Sequence, residues 1–473
     1  MITISFEKRG TMGLCEFLSK NLKEQITNGT LCSGTKMPSK RSLAQNLGVS
    51  VITVQNAYAN LISEGYLFSV EKKGFFVSDY FPKQNEKSRP LPLNVQKEQK
   101  MDFFTDFKNN ATSFQKFPFT LWTHLMRRVL SSENENLLCS SGKKGIFSLR
   151  NAISLHLKEF RNMNVDAEQI ILGSGTENLY TLLFELLGQN TLFALENPGY
   201  HKIAEVCKIN ASTFVPIDMD SCGIKIDALK KSGATVVHVS PSHHFPTGIV
   251  FPYSRRHELL LWVKEKNHYI IEDDYDSEFR FNGKPLASLF ESDSSDSVIY
   301  VNTFSKTLAP SFRIGYMILP KRLLLAFEKQ FASYSCQVSA FEQYTLDLFI
   351  REGHYSKHII RMKNYYRTLR DVLIHTLESS LLSEIFQIKE EESGLHFLLK
   401  IKNDNLIEKS SCIQKAFLDY GINLPLISDY FYGSVPAEYK GTFVVNYSGI
   451  KKERITETVS KMECAIQKAL CGR

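Results

Sequence analysis

Between residues 79 and 100 the chain reads DYFPKQNEKSRPLPLNVQKEQK, which is polar, carries prolines and has no sustained apolar period. This is the composition of a linker, semi-extended where the prolines fall. The chain is therefore expected to fold as two parts, residues 1–78 and 101–473. With 473 residues, 43% of them apolar, there is material for more than one core.

In the first part, Leu14, Phe17, Leu18, Leu22 and Ile26 have the spacing of a one-faced helix over about 12–28. After a break at Ser33, Gly34 and Pro38, Ser39 caps a short helix with Leu43, Ala44 and Leu47 inward, ended by Gly48. Ser50 caps a third helix with Val51, Val54, Ala57, Tyr58, Leu61 and Ile62 on one face, ended by Gly65. YLFSV-EKKG-FFVSD then reads as a hairpin turning at Lys72–Gly74.

Residues 1–78 hold nine Lys or Arg against five Glu and no Asp, giving +4 of the chain's +7, and such a bias suits a phosphate backbone. Two short helices followed by a hairpin is the α+β layout of a winged helix-turn-helix, whose second helix enters the major groove of double-stranded DNA. On that geometry Ser50, Ile52, Thr53, Gln55 and Asn56 face base edges, and Gln and Asn can pair bidentately with adenine. Lys40 and Arg41, with Lys72 and Lys73 in the wing, are placed for phosphates.

In the second part, helical stretches alternate with short strand-like runs: QIILGSG, TLFALE, TVVHVSP, YIIEDDY and VIYVNTFSK. That alternation predicts a parallel sheet in an α/β domain. From about residue 380, FLLKIK and TFVVNY among helices predict a smaller α+β lobe.

Lys306, just after VIYVN and among small hydroxyl residues, is the candidate amine for a Schiff base with an aldehyde. Thr303, Ser305 and Arg313 together suit a phosphate dianion, Arg313 bidentately. In IILGSGTENLY the amides of Gly175, Thr176 and Glu177 open a helix and offer a second anion site. Asp273, Asp274 and Tyr275 end a strand at the carboxyl edge of the sheet, where open α/β sheets bind ligands. A carboxylate beneath a pyridine nitrogen keeps it protonated and makes the ring an electron sink.

Two resemblances extend this reading. MPSKRSLAQNLGVSVITVQNAYANLISEGYLFSVEKKGFFV resembles the N-terminal domain of GntR-type regulators, which implies DNA contacts from Ser39, Arg41, Ser50, Thr53 and Gly74. The arginine usual after VS is replaced by Val51. GSGTENLY, ENPGY, SPSHHFPTG, EDDYDSEFRF and TFSKTLAPSFRIGY resemble, in order, the motifs of fold-type I aminotransferases that use pyridoxal 5′-phosphate (PLP). That resemblance implies Lys306 as the Schiff-base lysine, Asp273 on the pyridine nitrogen and Tyr275 on the phenolic oxygen. It also implies Arg313, Ser305 and the backbone of Gly175 and Thr176 on the phosphate, with Tyr200 near the ring.

The combination resembles the MocR subgroup of GntR regulators. It implies a transcription regulator that forms head-to-tail homodimers and senses PLP, alone or with an amino acid or amine, through the Lys306 aldimine. The alternative is an active aminotransferase with an appended DNA-binding domain. Against efficient turnover, Val444 stands where aminotransferases commonly carry the arginine that grips a substrate carboxylate, Phe245 replaces the Asn before PTG, and Ile146 replaces a frequent tyrosine. Lys202, or an arginine elsewhere in the chain, is a candidate substitute for the missing one. No physiological turnover is expected, only residual transamination.

The remaining features are exclusions. No apolar run is long enough to span a bilayer, and the start, MITISFEKRGTMG, is not read as a secretory signal. Nine cysteines without a CxxC pair argue against a disulfide framework and a zinc site, so no metal and a reduced cytoplasmic compartment are expected.

Overall fold

The computed structural model describes residues 2–4, 6–10, 12–79, 102–108, 116–132, 135–265, 268–281, 286–390 and 394–471. From residue 80 to 100 the expected linker lies outside the described residues. The chain divides into two compact units, Met1–Lys100 and Met101–Arg473.

In the first unit α1 (Leu14–Thr27), α2 (Lys40–Leu47) and α3 (Val51–Ser63) precede a hairpin of β1 (Leu67–Val70) and β2 (Gly74–Val77), paired from Leu67↔Val77 to Val70↔Gly74. Both expected caps are present. Ser39 accepts the Ser42 amide and Ser50 the Thr53 amide, each at 3.1 Å. Gly48 closes α2 with φ 66°, a left-handed conformation that an L side chain would strain. Leu18, Leu22, Leu43, Val54, Tyr58 and Leu61 form the core. Three residues expected on inward faces are exposed instead: Leu14, Val51 and Ile62. Leu14 and Val51 each open a helix and Ile62 lies near the end of one, beyond the turns that the neighbouring elements cover.

The second unit is built on an eight-stranded sheet. Its strands in the chain follow a short β3 (Thr105–Asp106) and are β4 (Ile170–Gly173), β5 (Leu192–Asn197), β6 (Thr213–Asp220), β7 (Gly223–Ile224), β8 (Val236–Val239), β9 (Tyr269–Asp273), β10 (Val298–Thr303) and β11 (Gly315–Ile318). Their order is β4-β11-β10-β9-β8-β5-β6-β7. The central pairs from β10 to β6 are parallel, as expected. The sheet is mixed, however, because β11 is antiparallel to both β10 and β4, and β7 to β6. Residues of β4, β8 and β10 are buried throughout, as strands covered on both faces must be.

The covering helices are α4 (Phe119–Ser132), α5 (Phe147–Arg161), α6 (Thr176–Leu187), α7 (His201–Ile209), α8 (Ile226–Lys231), α9 (Tyr253–Glu265), α10 (Leu289–Ser292), α11 (Lys321–Gln330), α12 (Ala340–Arg351) and the long α13 (His354–Glu378). One apolar cluster joins α4, α5 and α12 to Ile170, Tyr300 and Tyr316, and another joins α6, α7 and α11 to Ile171, Ile299 and Met317. Successive residues of each strand therefore anchor to different layers.

The expected smaller lobe contains β12 (Phe386–Lys389), β13 (His396–Ile401), β14 (Ile422–Asn423) and β15 (Thr442–Asn446). β12, β13 and β15 form an antiparallel sheet, while β14 pairs in parallel with β3, tying the start of this unit to its tail.

Candidate functional site

A cavity of about 180 Å³ opens at the carboxyl ends of β9 and β10 beside the start of α6. Thr176, Tyr200, Asp273, Tyr275, Thr303, Ser305, Lys306 and Arg313 all line it. They come from segments well separated in the chain, and the parallel strands bring them to one edge.

Lys306 follows β10 by three residues, and its Nζ lies 5.9 Å from the centre of the Tyr275 ring. Burial of the amine lowers its pKa from 10.5 to about 8, with Asp276 and Asp273 opposing that shift. A neutral amine near physiological pH is a nucleophile. Thr303 Oγ1 donates to Ser305 Oγ at 2.9 Å and accepts the Ser305 amide at 3.1 Å, so the two hydroxyls are held together at the strand end.

Asp273 ends β9. Its Oδ2 accepts from the Tyr180 hydroxyl at 3.1 Å and lies 3.6 Å from His238 Nε2, while Tyr180 and His238 are themselves 2.8 Å apart. Asp273 Oδ1 is shielded from solvent with no hydrogen-bond partner among the described residues. Tyr180 and His238 were not anticipated from the sequence. The available signal was His238 itself, an ionisable residue inside the apolar strand TVVHVSP.

Asp274, grouped with its neighbours in the sequence reading, points away from this cavity. Its Oδ2 accepts from Arg161 at 2.7 Å, from Tyr300 at 2.6 Å and from Ser277 at 2.8 Å. Burial alone would raise its pKa, but Arg161 and these donors hold it below the usual carboxylate range.

At the anion end, a Cβ on Gly175 would lie 2.8 Å from Arg313 Nη2, so any other residue there would displace the guanidinium. Gly175 also has φ 90°. Its amide donates to Gly173 O at 2.8 Å, which leaves the Thr176 and Glu177 amides, not all three, at the free helix start. Glu177 bridges two cations, with Oε2 3.1 Å from Arg313 and Oε1 on Lys202. Lys202 and Arg313 hold its carboxyl below the usual range.

Leu195, Phe245, Leu395 and Tyr432 also line the cavity, whereas Val444 does not. Val444 is buried with Leu398 and Ile427 against Phe245, Tyr430 and Tyr439. Phe245 and Tyr200 are perpendicular at 6.1 Å. Lys202 lines the cavity. Behind Tyr275, His243 Nδ1 lies 2.9 Å from Asp276 Oδ2, and the His243 and His396 rings are 4.3 Å apart. Burial, with His243 alongside, holds His396 well below its ordinary pKa. These three side chains place possible metal-ligand atoms within 4.8 Å of one another, a grouping that cysteine spacing could not reveal.

In the first unit, Gln55 and Asn56 are exposed on α3, as is Ile52, at 70%. The Ser50 and Thr53 hydroxyls are 2.8 Å apart, and Ser39 is engaged as a cap. Arg41, Lys72 and Lys73 are exposed, while Lys40 Nζ sits 5.4 Å over the Phe75 ring. Gly74 opens β2 with φ 113°. No helix among the described residues is long and apolar enough to cross a membrane.

Comparison with known proteins agrees with this geometry. Residues 105–461 match the family "Aminotransferase class I and II", and residues 14–77 match "Bacterial regulatory proteins, gntR family". The HTH-type transcriptional regulator YdeL of Bacillus subtilis is 33% identical over 96% of this chain and 96% of its own. The probable rhizopine catabolism regulatory protein MocR of Rhizobium meliloti is 27% identical over 95% and 92%. Among solved structures, the kynurenine aminotransferase of Pyrococcus horikoshii superposes with a TM-score of 0.68 at 21% identity, covering 78% of this chain and 92% of that one. The second unit thus has the fold of the fold-type I aminotransferases, which implies dependence on PLP, and a GntR helix-turn-helix implies DNA binding. The chain belongs to the MocR subgroup of GntR-family transcriptional regulators, which combine a DNA-reading winged helix-turn-helix with an aminotransferase domain.

Proposed function

We propose that residues 101–473 bind PLP at Lys306 and sense it, alone or with an amino acid or amine, while residues 1–78 read an operator and residues 79–100 join the two. The observation that carries this reading is the meeting of Lys306, Asp273, Tyr275 and Arg313 around one cavity.

The residues fit the cofactor chemically. The unpaired, buried Asp273 Oδ1 suits a protonated ring nitrogen, and the Tyr180 hydroxyl on Oδ2 keeps the carboxylate oriented. Arg313, Ser305, Thr303 and the Thr176 amide suit a phosphate dianion. Tyr275 stands within reach of Lys306 to hold a phenolic oxygen. When bound, the cofactor supplies an aldehyde for amines and an electron-withdrawing ring. The chain supplies a partly neutral Lys306 amine, the Asp273 carboxyl held by Tyr180 and the cation Arg313. Lys306 would hold the cofactor through that aldehyde, which an effector amine could engage in its place, and the exchange would bias the regulator's DNA-binding state.

Efficient transamination of amino acids is disfavoured, because no arginine stands at Val444 and Lys202, one candidate for a substrate carboxylate, is already on Glu177. The regulator is further proposed to act in the cytoplasm as a head-to-tail homodimer, which light scattering of the full chain tests.

For the cofactor, purified protein with added PLP should turn yellow and, after borohydride, carry the label on the Lys306 peptide. Label retained elsewhere in Lys306→Ala would overturn the assignment. Rapid keto-acid-dependent turnover of amino acids would favour the enzyme reading instead.

A further inference from the structure

Two stretches that build the Lys306 cavity have a second face. In one, Thr303, Ser305 and Lys306 line the first cavity, whereas Tyr300, Asn302 and Phe304 line another. In the other, Asp273, Tyr275 and Asp276 face the first, and Ser277 and Glu278 face the second. The second cavity is also about 180 Å³ and lies against α5 and α13. That exceeds the roughly 150 Å³ known to admit a benzene-sized ligand.

Its chemistry is graded. Glu278 Oε2 is shielded from solvent with no hydrogen-bond partner among the described residues, and its other oxygen has only a long 3.5 Å contact from Asn302. Burial, with Asp274 nearby, raises the Glu278 pKa to about 7 despite the opposing charge of Arg161. Arg161, the cation that acts on it, is held by Asp274 at 2.7 Å, and Arg280 also lines the cavity. Walls of Phe160, Tyr316 and Tyr355 are aromatic. Lys363 lines the cavity without a carboxylate partner among the described residues, and burial with Arg367 and Arg280 nearby depresses its pKa. An unpaired carboxyl and an unpaired ammonium thus share one aromatic cavity.

We propose that this second cavity binds a free amino acid as its zwitterion, with the ammonium group on Glu278, the carboxylate on Lys363 and an apolar side chain among the rings. The site is separate from Lys306 and requires no covalent step. It is nevertheless connected to it: Tyr355, on the cavity wall, is 3.0 Å from the hydroxyl of Thr307, next to Lys306, and His358 Nε2 is 2.8 Å from the Thr307 carbonyl oxygen. Occupancy therefore bears on the segment that carries the Schiff-base lysine.

The test is isothermal titration of a panel of free L-amino acids into the full-length chain and into Lys306→Ala, which removes covalent capture at the first cavity. At least one amino acid should bind Lys306→Ala with a Kd within about tenfold of wild type, and its simple amine and carboxylate analogues should bind far more weakly. Glu278→Gln should weaken binding tenfold or more. Ile360→Trp should do the same by obstructing the cavity from an exposed position, leaving the buried network intact if Glu278→Gln fails to fold. Absence of any binding to Lys306→Ala, or binding indifferent to both substitutions, overturns the proposal. Loss of the PLP colour in wild type would instead count against the Lys306 assignment alone.

Discussion

Tyr180 donates its hydroxyl hydrogen to Asp273 Oδ2 across 3.1 Å, from a helix start to a strand end 93 residues later in the chain. The bond fixes the carboxylate with its other oxygen, Oδ1, unpaired. Tyr180→Phe removes one hydrogen bond to a charged group, which is worth about 1.5–3 kcal/mol. PLP affinity, followed by absorbance titration, should fall roughly tenfold or more, and Asp273→Ala should cost more. Unchanged affinity in Asp273→Ala would remove Asp273 from the ring-nitrogen role.

Arg313 shares the Glu177 carboxylate with Lys202, so the anion end is already organised around a negative group. Arg313→Ala should weaken PLP binding by about 1.5–3 kcal/mol, while pyridoxal without its phosphate should be little affected. Arg313→Lys should recover only a small part of the loss, because an ammonium cannot reproduce the bidentate fork. Glu177→Gln releases both cations and should tighten inhibition by inorganic phosphate. An equal loss for pyridoxal and its phosphate in Arg313→Ala would place Arg313 elsewhere than on the phosphate.

Lys306 makes the cofactor-free protein's stability depend on pH. Its pKa is about 8 when folded and 10.5 ordinarily, so between those values the unfolded chain binds more protons and stability rises with pH. Below about pH 8 the amine is charged in both states and the penalty of enclosing it is fully present. That penalty is at most about 3.5 kcal/mol, at 1.36 kcal/mol per tenfold, and solvent around the half-buried amine reduces it. Cofactor-free Lys306→Met should therefore melt above wild type at pH 7, and the gap should narrow toward pH 10. A gap independent of pH would show that the amine is not shifted downward. Capture of PLP by wild type should accelerate with an apparent pKa near 8.

Asp273, Tyr275 and Lys306 were legible in the sequence because each lies at or just after the end of a short apolar strand, and parallel strands deliver such ends to one edge; Arg313, ten residues beyond β10, was read from the TFSKTLAPSFRIGY motif. His238 and Tyr180 were not, since both sit within apolar patterns read as core, and only the fold brings β8 and α6 together. His396 is remote from Lys306 in the chain, and no local pattern announces that it closes the same cavity. The antiparallel β11 escaped notice for a different reason. GYMI is buried throughout, so its side chains carry no alternation, and strand direction depends on the 304–314 turn rather than on periodicity. The winged unit was read closely because its caps are local: Ser39, Gly48 and Ser50 each act within a few residues.

Gln55 and Asn56 lie exposed on α3, one turn beyond the Ser50 cap, where a recognition helix meets base edges. On a cognate operator, Gln55→Ala or Asn56→Ala should each cost about 1–3 kcal/mol if the side chain pairs bidentately with a base, with little change on unrelated DNA. Lys72→Ala and Lys73→Ala should weaken both kinds of binding alike and lower the slope of log affinity against log salt by about one each. Ser50→Ala should act differently again. It removes the cap that Thr53 donates to, costing about 1 kcal/mol of stability, and should weaken DNA binding partly through loss of the helix start. Mobility-shift titrations at several salt concentrations, with thermal melting of each variant, separate the three classes. A Gln55→Ala variant that loses affinity equally for operator and unrelated DNA would show that Gln55 holds the backbone and does not read a base.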